Sequence, residues 1–235
     1  MFKLLSTANP KTQKGVKLGY LTYILHLAPS DVSGVINTCP WSSAGCRTAC
    51  LNTAGRGGIL KKGEPTNKIQ QARIRKTVFF KSDRTNFMQT LFTDIDKAIK
   101  YASKKGLIPT FRLNGTSDIP FESIKLNGKT VFDNFPNVQF YDYTKGANRK
   151  ISSITNYHLT FSRNEANHNQ TTIAMANGMN VAMVFDKTPT TYSDLQVING
   201  DDTDLRFLDV TGVIVGLKAK GKAKHDTSGF VIRTA

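Results

Sequence analysis

The sequence predicts an α/β fold: a partial (β/α) barrel-like parallel sheet with a long cysteine-bearing loop towards its N-terminal side. Three observations predict it. Short β-branched and aromatic runs recur at residues 18–27, 107–113, 138–143, 157–161, 180–185 and 213–217, about six strands in all. Loops or helix-like stretches separate them, the alternation that builds parallel sheets. A stretch at 30–65, rich in glycine and holding every cysteine, is too long to be a mere connector and marks a binding loop. Six strands suit an open doubly wound sheet or an incomplete barrel.

Each element follows from its residues. The first strand mixes Leu with Tyr and Thr and stops at Ala28-Pro29. After the loop, residues 66–105 hold two helices. The first, near 67–80, is only loosely amphipathic, whereas Phe87, Met88, Leu91, Phe92, Ile95, Ala98, Ile99 and Ala102 keep the helical period of the second. Asp83 is its expected N-cap, and Lys104, Lys105 and Gly106 supply the cationic last turn and the stop. Residues 107–232 then read as repeated βα units, with 165–176 helix-like. No repeat, low-complexity tract or linker divides the chain, so 1–235 reads as a single domain.

Composition narrows the function. At 235 residues, 39% of them hydrophobic, the chain buries a core without staples. No apolar run reaches the length of a membrane span, and residues 1–10 lack the charged start and apolar middle of a secretion signal. No membrane association is expected. The net charge of +15 draws polyanions, although the lysines and arginines are dispersed enough that most read as a solvated face.

The strongest signal is the cysteine spacing. Cys39, Cys46 and Cys50 form a C-x6-C-x3-C cluster inside twelve residues. An odd number in a reduced compartment argues against disulfides and for a metal. A helical turn over 47–51 would put Cys46 and Cys50 on one face, with Pro40 and Gly45 folding Cys39 back to them. Structural zinc needs a fourth ligand, to come from His26, His158, His168 or His225, none at a finger spacing. A [4Fe-4S] cluster is held by three thiolates with one iron left open, which suits the ligand count best. Unliganded or redox-active thiols remain the third reading. The lone Trp41 reads as packing over the loop.

The polar ends of the strands add candidates, because parallel βα folds gather function at the carboxyl ends of their strands. After the second strand come Asn114, Thr116, Ser117 and Asp118; after the third, Tyr143, Thr144 and Lys145; after the fourth, Ser162, Arg163, Asn164 and Glu165. Asp118, Tyr143, Lys145 and Glu165 are the catalytic candidates. Glu165 also reads as a cap for the helix after Asn164, and Tyr141 and Tyr143 share a face that sends at least one into the core. A basic stretch with Lys218, Lys220, Lys222 and Lys224 follows the last main strand and suits nucleic acid or an anionic small molecule. It is not a phosphate-binding P-loop, because Ala223 follows Lys222.

The segment Asn37-Thr-Cys-Pro-Trp-Ser-Ser-Ala-Gly-Cys-Arg-Thr-Ala-Cys, with Gly55-Arg56-Gly57 after it, resembles the bacteriophage family called gene product 88. Phe111-Arg-Leu-Asn-Gly-Thr-Ser-Asp and Phe140-Tyr-Asp-Tyr-Thr-Lys resemble two further elements of that family, and the resemblance runs from about Leu18 to Gly229. Leu51 stands where the family's motif leads us to expect an aromatic residue. The order of elements looks like that of a radical-SAM enzyme, which implies the partial barrel over the open sheet, without the C-x3-C-x2-C spacing of that superfamily. The resemblance thus implies an iron-sulfur phage protein in the host cytoplasm, with radical-SAM-like or redox chemistry. It implies an S-adenosylmethionine site at Asn114, Ser117, Asp118 and Tyr143, and cluster ligands at Cys39, Cys46 and Cys50. The competing expectation is a nucleic-acid-binding phage protein in which zinc or a cluster only fixes the loop.

Overall fold

The computed structural model describes residues 3–7 and 10–234; the reading of residues 1–10 lies partly outside them. The elements in chain order are β1 (Leu5–Ser6), α1 (Pro10–Val16), β2 (Tyr20–Leu25), α2 (Ala44–Thr48), α3 (Lys68–Ser82), α4 (Arg84–Lys104), β3 (Ile108–Arg112), α5 (Val131–Asn134), β4 (Gln139–Thr144) and β5 (Tyr157–Ser162). Then come α6 (His168–Ala176), β6 (Val181–Phe185), β7 (Thr191–Tyr192), β8 (Leu195–Asn199), β9 (Ile214–Lys218) and β10 (Val231–Ile232).

The ten described strands form one mixed, mostly parallel sheet that does not close. Its order is β1-β2-β3-β4-β5-β6-β9-β8-β7, with β10 also on β6. Only β1–β2 and β7–β8 are antiparallel. All six expected strands are present, with ends shifted by a residue or two. From β2 to β6 spatial order equals chain order, so that half lacks the reversal at which a doubly wound sheet places its crevice. Successive strands also advance towards their carboxyl ends: the third residue of β3 faces the first of β4, the second of β4 faces the first of β5, and the fifth of β5 faces the first of β6.

The two long helices form for local reasons. Asn67 caps α3 by accepting from Ile69 N and Gln70 N, and Asp83 caps α4 by accepting from Asn86 N. Gly106 supplies the left-handed residue, φ 65°, after α4. The apolar stripe of α4, including Phe87, Leu91 and Ile95, packs with Phe80 of α3 on the outer face of the sheet, against Tyr23, Leu25, Phe111, Phe140 and Leu159.

Alternation leaves the inner face polar. Thr22, Thr110, Tyr141, His158 and Thr160 lie there, and Thr22 Oγ1 bonds Thr110 Oγ1 at 2.9 Å and Tyr141 OH at 3.1 Å. A 3-10 turn at Arg206–Leu208 covers this face, with the Phe207 ring centroid 5.5 Å from Tyr20 and 5.3 Å from Tyr141. Arg206 is only 1% exposed beneath it. Apolar helices outside and a polar layer inside direct the open carboxyl ends of the strands, and the loops on them, towards one place.

Candidate functional site

That place is a cavity of about 400 Å³, and Cys39, Cys46 and Cys50 all line it. Each cysteine is held differently. Cys39 sits in the turn ahead of α2, its Sγ 3.8 Å from both Thr116 O and Thr38 Oγ1. Cys46 lies inside α2 and Cys50 beyond it, where its sulfur accepts from Asn52 N at the start of a 3-10 turn, Leu51–Thr53. The helical turn thus spans Ala44–Thr48, not 47–51, and Cys50 is outside it.

The reason is a long-range cap. Glu165, in the loop after β5, accepts from Gly45 N at 2.7 Å and from Ser43 Oγ at 2.8 Å, while Ser43 Oγ accepts from Cys46 N. Gly45 is needed for this approach: a Cβ there would stand 2.1 Å from Ser228 Oγ and 2.8 Å from the Glu165 carboxyl. Glu165 is not among the cavity-lining residues, and the helix it caps is the cysteine helix, not the one that follows it.

The thiols are free and partly buried. Burial pushes Cys39 up to about 11 and raises Cys50, and a charge on the neighbouring cysteine adds to each rise. These are thiols that ionise only against a compensating positive charge. Among the described residues no three His, Cys, Asp or Glu side chains are grouped to hold a single metal ion. Of the four histidines read as candidate zinc ligands, only His26 lines the cavity; burial, with Arg73 and Arg112 nearby, holds its pKa down to about 3.

The loop after β3 forms the facing wall. Asn114, Ser117 and Asp118 line the cavity, but Asn114 and Ser117 are largely spent inside the loop. Asn114 Oδ1 accepts from Ser117 Oγ and Ile119 N, and its amide donates to Ile119 O. Gly115 lets the loop press on β2, since a Cβ would meet Ile24 Cγ2 at 2.5 Å and Leu25 O at 2.9 Å. Asp142, fully buried on β4, takes Leu113 N and Asn114 N on its two oxygens where the β3–β4 ladder stops. Asp118, 7% exposed, accepts from Lys145 N at 2.7 Å and Arg149 Nη1 at 3.0 Å, and burial still raises its pKa.

Tyr143 and Lys145 complete this side. The Tyr143 hydroxyl is buried without a hydrogen-bond partner, and the Arg112 guanidinium stands 5.2 Å from its ring centroid. Lys145 Nζ donates to Ser162 Oγ at 2.8 Å. The basic stretch is divided: Lys218 and Lys220 line the cavity, whereas Lys222 and Lys224 lie on an exposed 3-10 turn, Gly221–His225. Trp41 packs its ring against Gly146.

Sequence reasoning missed Arg73, Arg112, Asp204 and Phe230, which all line the cavity, and weighed His26 only as a zinc ligand. His26 and Arg112 follow or end β2 and β3 and were within reach of the strand-end rule. Arg73 comes from the middle of α3 and Phe230 from the loop before β10, and nothing local to either marks it.

Among the described residues no helix is long and apolar enough to cross a membrane. No curated protein and no solved structure matches the chain. The family model for Gene product 88 matches residues 3–234, the region that carries the cysteine loop, the sheet and the whole cavity wall. The chain belongs to the Gene product 88 family.

Proposed function

We propose that this phage protein binds a [4Fe-4S] cluster through Cys39, Cys46 and Cys50 on a partial, barrel-like sheet in the host cytoplasm, and works on a substrate held in the adjoining cavity. The observation that carries the reading is that three cysteines in three different local structures line one cavity at the carboxyl ends of parallel strands. Strand order and stagger suit a barrel-like curve, because closing a sheet requires such shear.

The donor set fits a cluster better than zinc. A zinc ion closed by protein takes four ligands around one centre, and the three thiols that line the cavity fall one short of that set. A cluster takes each thiolate on a separate iron, which spreads them further apart. Once bound it supplies one-electron chemistry, with an open iron for a substrate or cofactor atom. Glu165 and Ser43 fix the cysteine helix, and Thr38 fixes Cys39 by donating to Ala28 O at 2.6 Å. Asp118 retains acceptor capacity for a ligand amino group such as that of S-adenosylmethionine, and Asn114 and Ser117 hold the loop that presents it.

Anaerobic purification with iron and sulfide analysis tests the reading. About four irons and four sulfides per chain are expected, lost in Cys39→Ala, Cys46→Ala and Cys50→Ala. Zinc, or a cluster that survives loss of any one cysteine, overturns it.

A further inference from the structure

Up to Phe80, α3 turns a polar stripe towards the rest of the protein. Gln70 and Thr77 are buried, and with Arg73 they fall on one helical face at spacings of three and four. Thr77 Oγ1 accepts from Ala28 N at 2.8 Å, where β2 runs into the cysteine loop, and Gln70 Nε2 donates to Gly57 O at 2.8 Å. Arg73 Nη1 donates to Asn52 Oδ1 at 2.6 Å, and Asn52 N in turn donates to Cys50 Sγ at 3.5 Å. The approach is close: a Cβ on Gly57 would stand 2.8 Å from Asn52 O and 3.6 Å from that Nη1. The stripe thus brings a guanidinium to the Cys50 side of the cavity, which both residues line.

This guanidinium lacks an anion. Arg112 is held by Asp204 at 2.6 Å and Lys220 by Asp201 at 2.6 Å, whereas among the described residues no carboxylate pairs with Arg73. Its Nε is buried without a hydrogen-bond partner. Burial lowers its pKa, and the negative charge that acts against this is that of Cys50. Arg73 in turn bears on Cys50 more strongly than Lys145 does. An unpaired buried charge is costly unless something anionic meets it. Thiolate ligands give a cluster negative charge that grows on reduction, and a positive charge beside them favours the reduced form.

We infer that Arg73 is the counter-charge at the Cys50 corner of the cluster site, a positioning residue that raises the reduction potential there. The inference rests on the cluster reading proposed above, and it can fail while that reading stands.

Anaerobic redox titration of the full chain, followed by absorption and by the paramagnetic resonance of the reduced cluster, tests it. Arg73→Met is expected to lower the potential by about 59 mV or more, a tenfold change in the reduction equilibrium for one electron, with iron and sulfide content unchanged. Arg73→Lys keeps the charge without the planar fork and recovers most of the shift. Asn52→Ala removes the acceptor of Arg73 but leaves the charge and the backbone donor to Cys50, so its reduction equilibrium stays within about twofold of wild type. Melting curves check that the variants are folded. Wild type without iron and sulfide removes the cluster and the inference with it. A cluster at the same potential in wild type and Arg73→Met overturns the inference alone. A shift in Asn52→Ala equal to that of Arg73→Met also overturns it, because the effect then runs through the bond that holds the loop. A folded Arg73→Met chain that takes up no cluster, with uptake restored in Arg73→Lys, bears the inference out through assembly. Loss of the cluster in both makes Arg73 a prop for the loop and overturns it.

Discussion

Replacing Glu165 by alanine removes a side chain that ties the loop after β5 to the cysteine helix. Two hydrogen bonds to a carboxylate go with it, from Gly45 N at 2.7 Å and Ser43 Oγ at 2.8 Å. Bonds to a charged group are worth about 1.5–3 kcal/mol each. Glu165 and Ser43 are only partly buried, so the low end applies and the pair contributes about 2–3 kcal/mol. In a chain of this size each kcal/mol shifts the melting temperature by about 2–4 °C, so Glu165→Ala is expected to melt about 4–12 °C below wild type. Glu165→Gln keeps one acceptor oxygen and loses about half as much. The loosened α2 exposes Cys46, whose alkylation by a maleimide accelerates several-fold; Cys39, anchored through Thr38 and Thr116, does not change. A variant that melts within about 1 °C of wild type, with all three thiols reacting as before, refutes the cap as the source of loop order.

Two further outcomes follow from buried polar groups. His26 ordinarily titrates at 6.5 but is held to about 3 in the fold, so between those values the unfolded chain binds more protons. Its contribution to stability is therefore fully present above 6.5 and is lost as the pH falls towards 3, with a slope of up to about 1.4 kcal/mol per pH unit. Urea unfolding of His26→Asn should show a shallower decline below pH 6.5, and curves that stay parallel to wild type count against the assignment. Tyr143→Phe removes a buried hydroxyl without a partner, so its unfolding free energy stays at or above the wild-type value; a loss of more than about 1 kcal/mol means the hydroxyl is bonded after all.

Legibility in the sequence followed range. The periodic faces of α4 and the main strands are local facts, as are the Asp83 cap and the Gly106 stop, and these matched the structure closely. β1, β7 and β10, of two residues each, are too short to show a period, and they exist only because a neighbour is there to pair with. The cysteine cluster was plain from its spacing, but its helix was placed three residues late because the cap comes from Glu165 on another loop. The cover of the polar inner face is announced by no local pattern: Arg206, 1% exposed, is buried against its type, and the turn that carries it and Phe207 lies far along the chain from the strands it covers. Arg73, bonded to Asn52 at 2.6 Å from the middle of a weakly patterned helix, could not be told from a surface arginine.

Where β5 ends beside β6, β10 takes over the same edge, pairing Val231 with Val184 and Ile232 with Phe185, while Arg163 holds Gly229 O and Phe230 O. Phe230 and Val231 then pack with Ala49, Ala219 and Ala223 over Cys46. Every one of these partners precedes residues 226–234 in the chain. During synthesis the cysteine loop and strands β2 to β6 therefore leave the ribosome before the segment that packs over Cys46. Any group destined for Cys46 has an interval for delivery that closes once residues 226–234 have emerged and paired with β6.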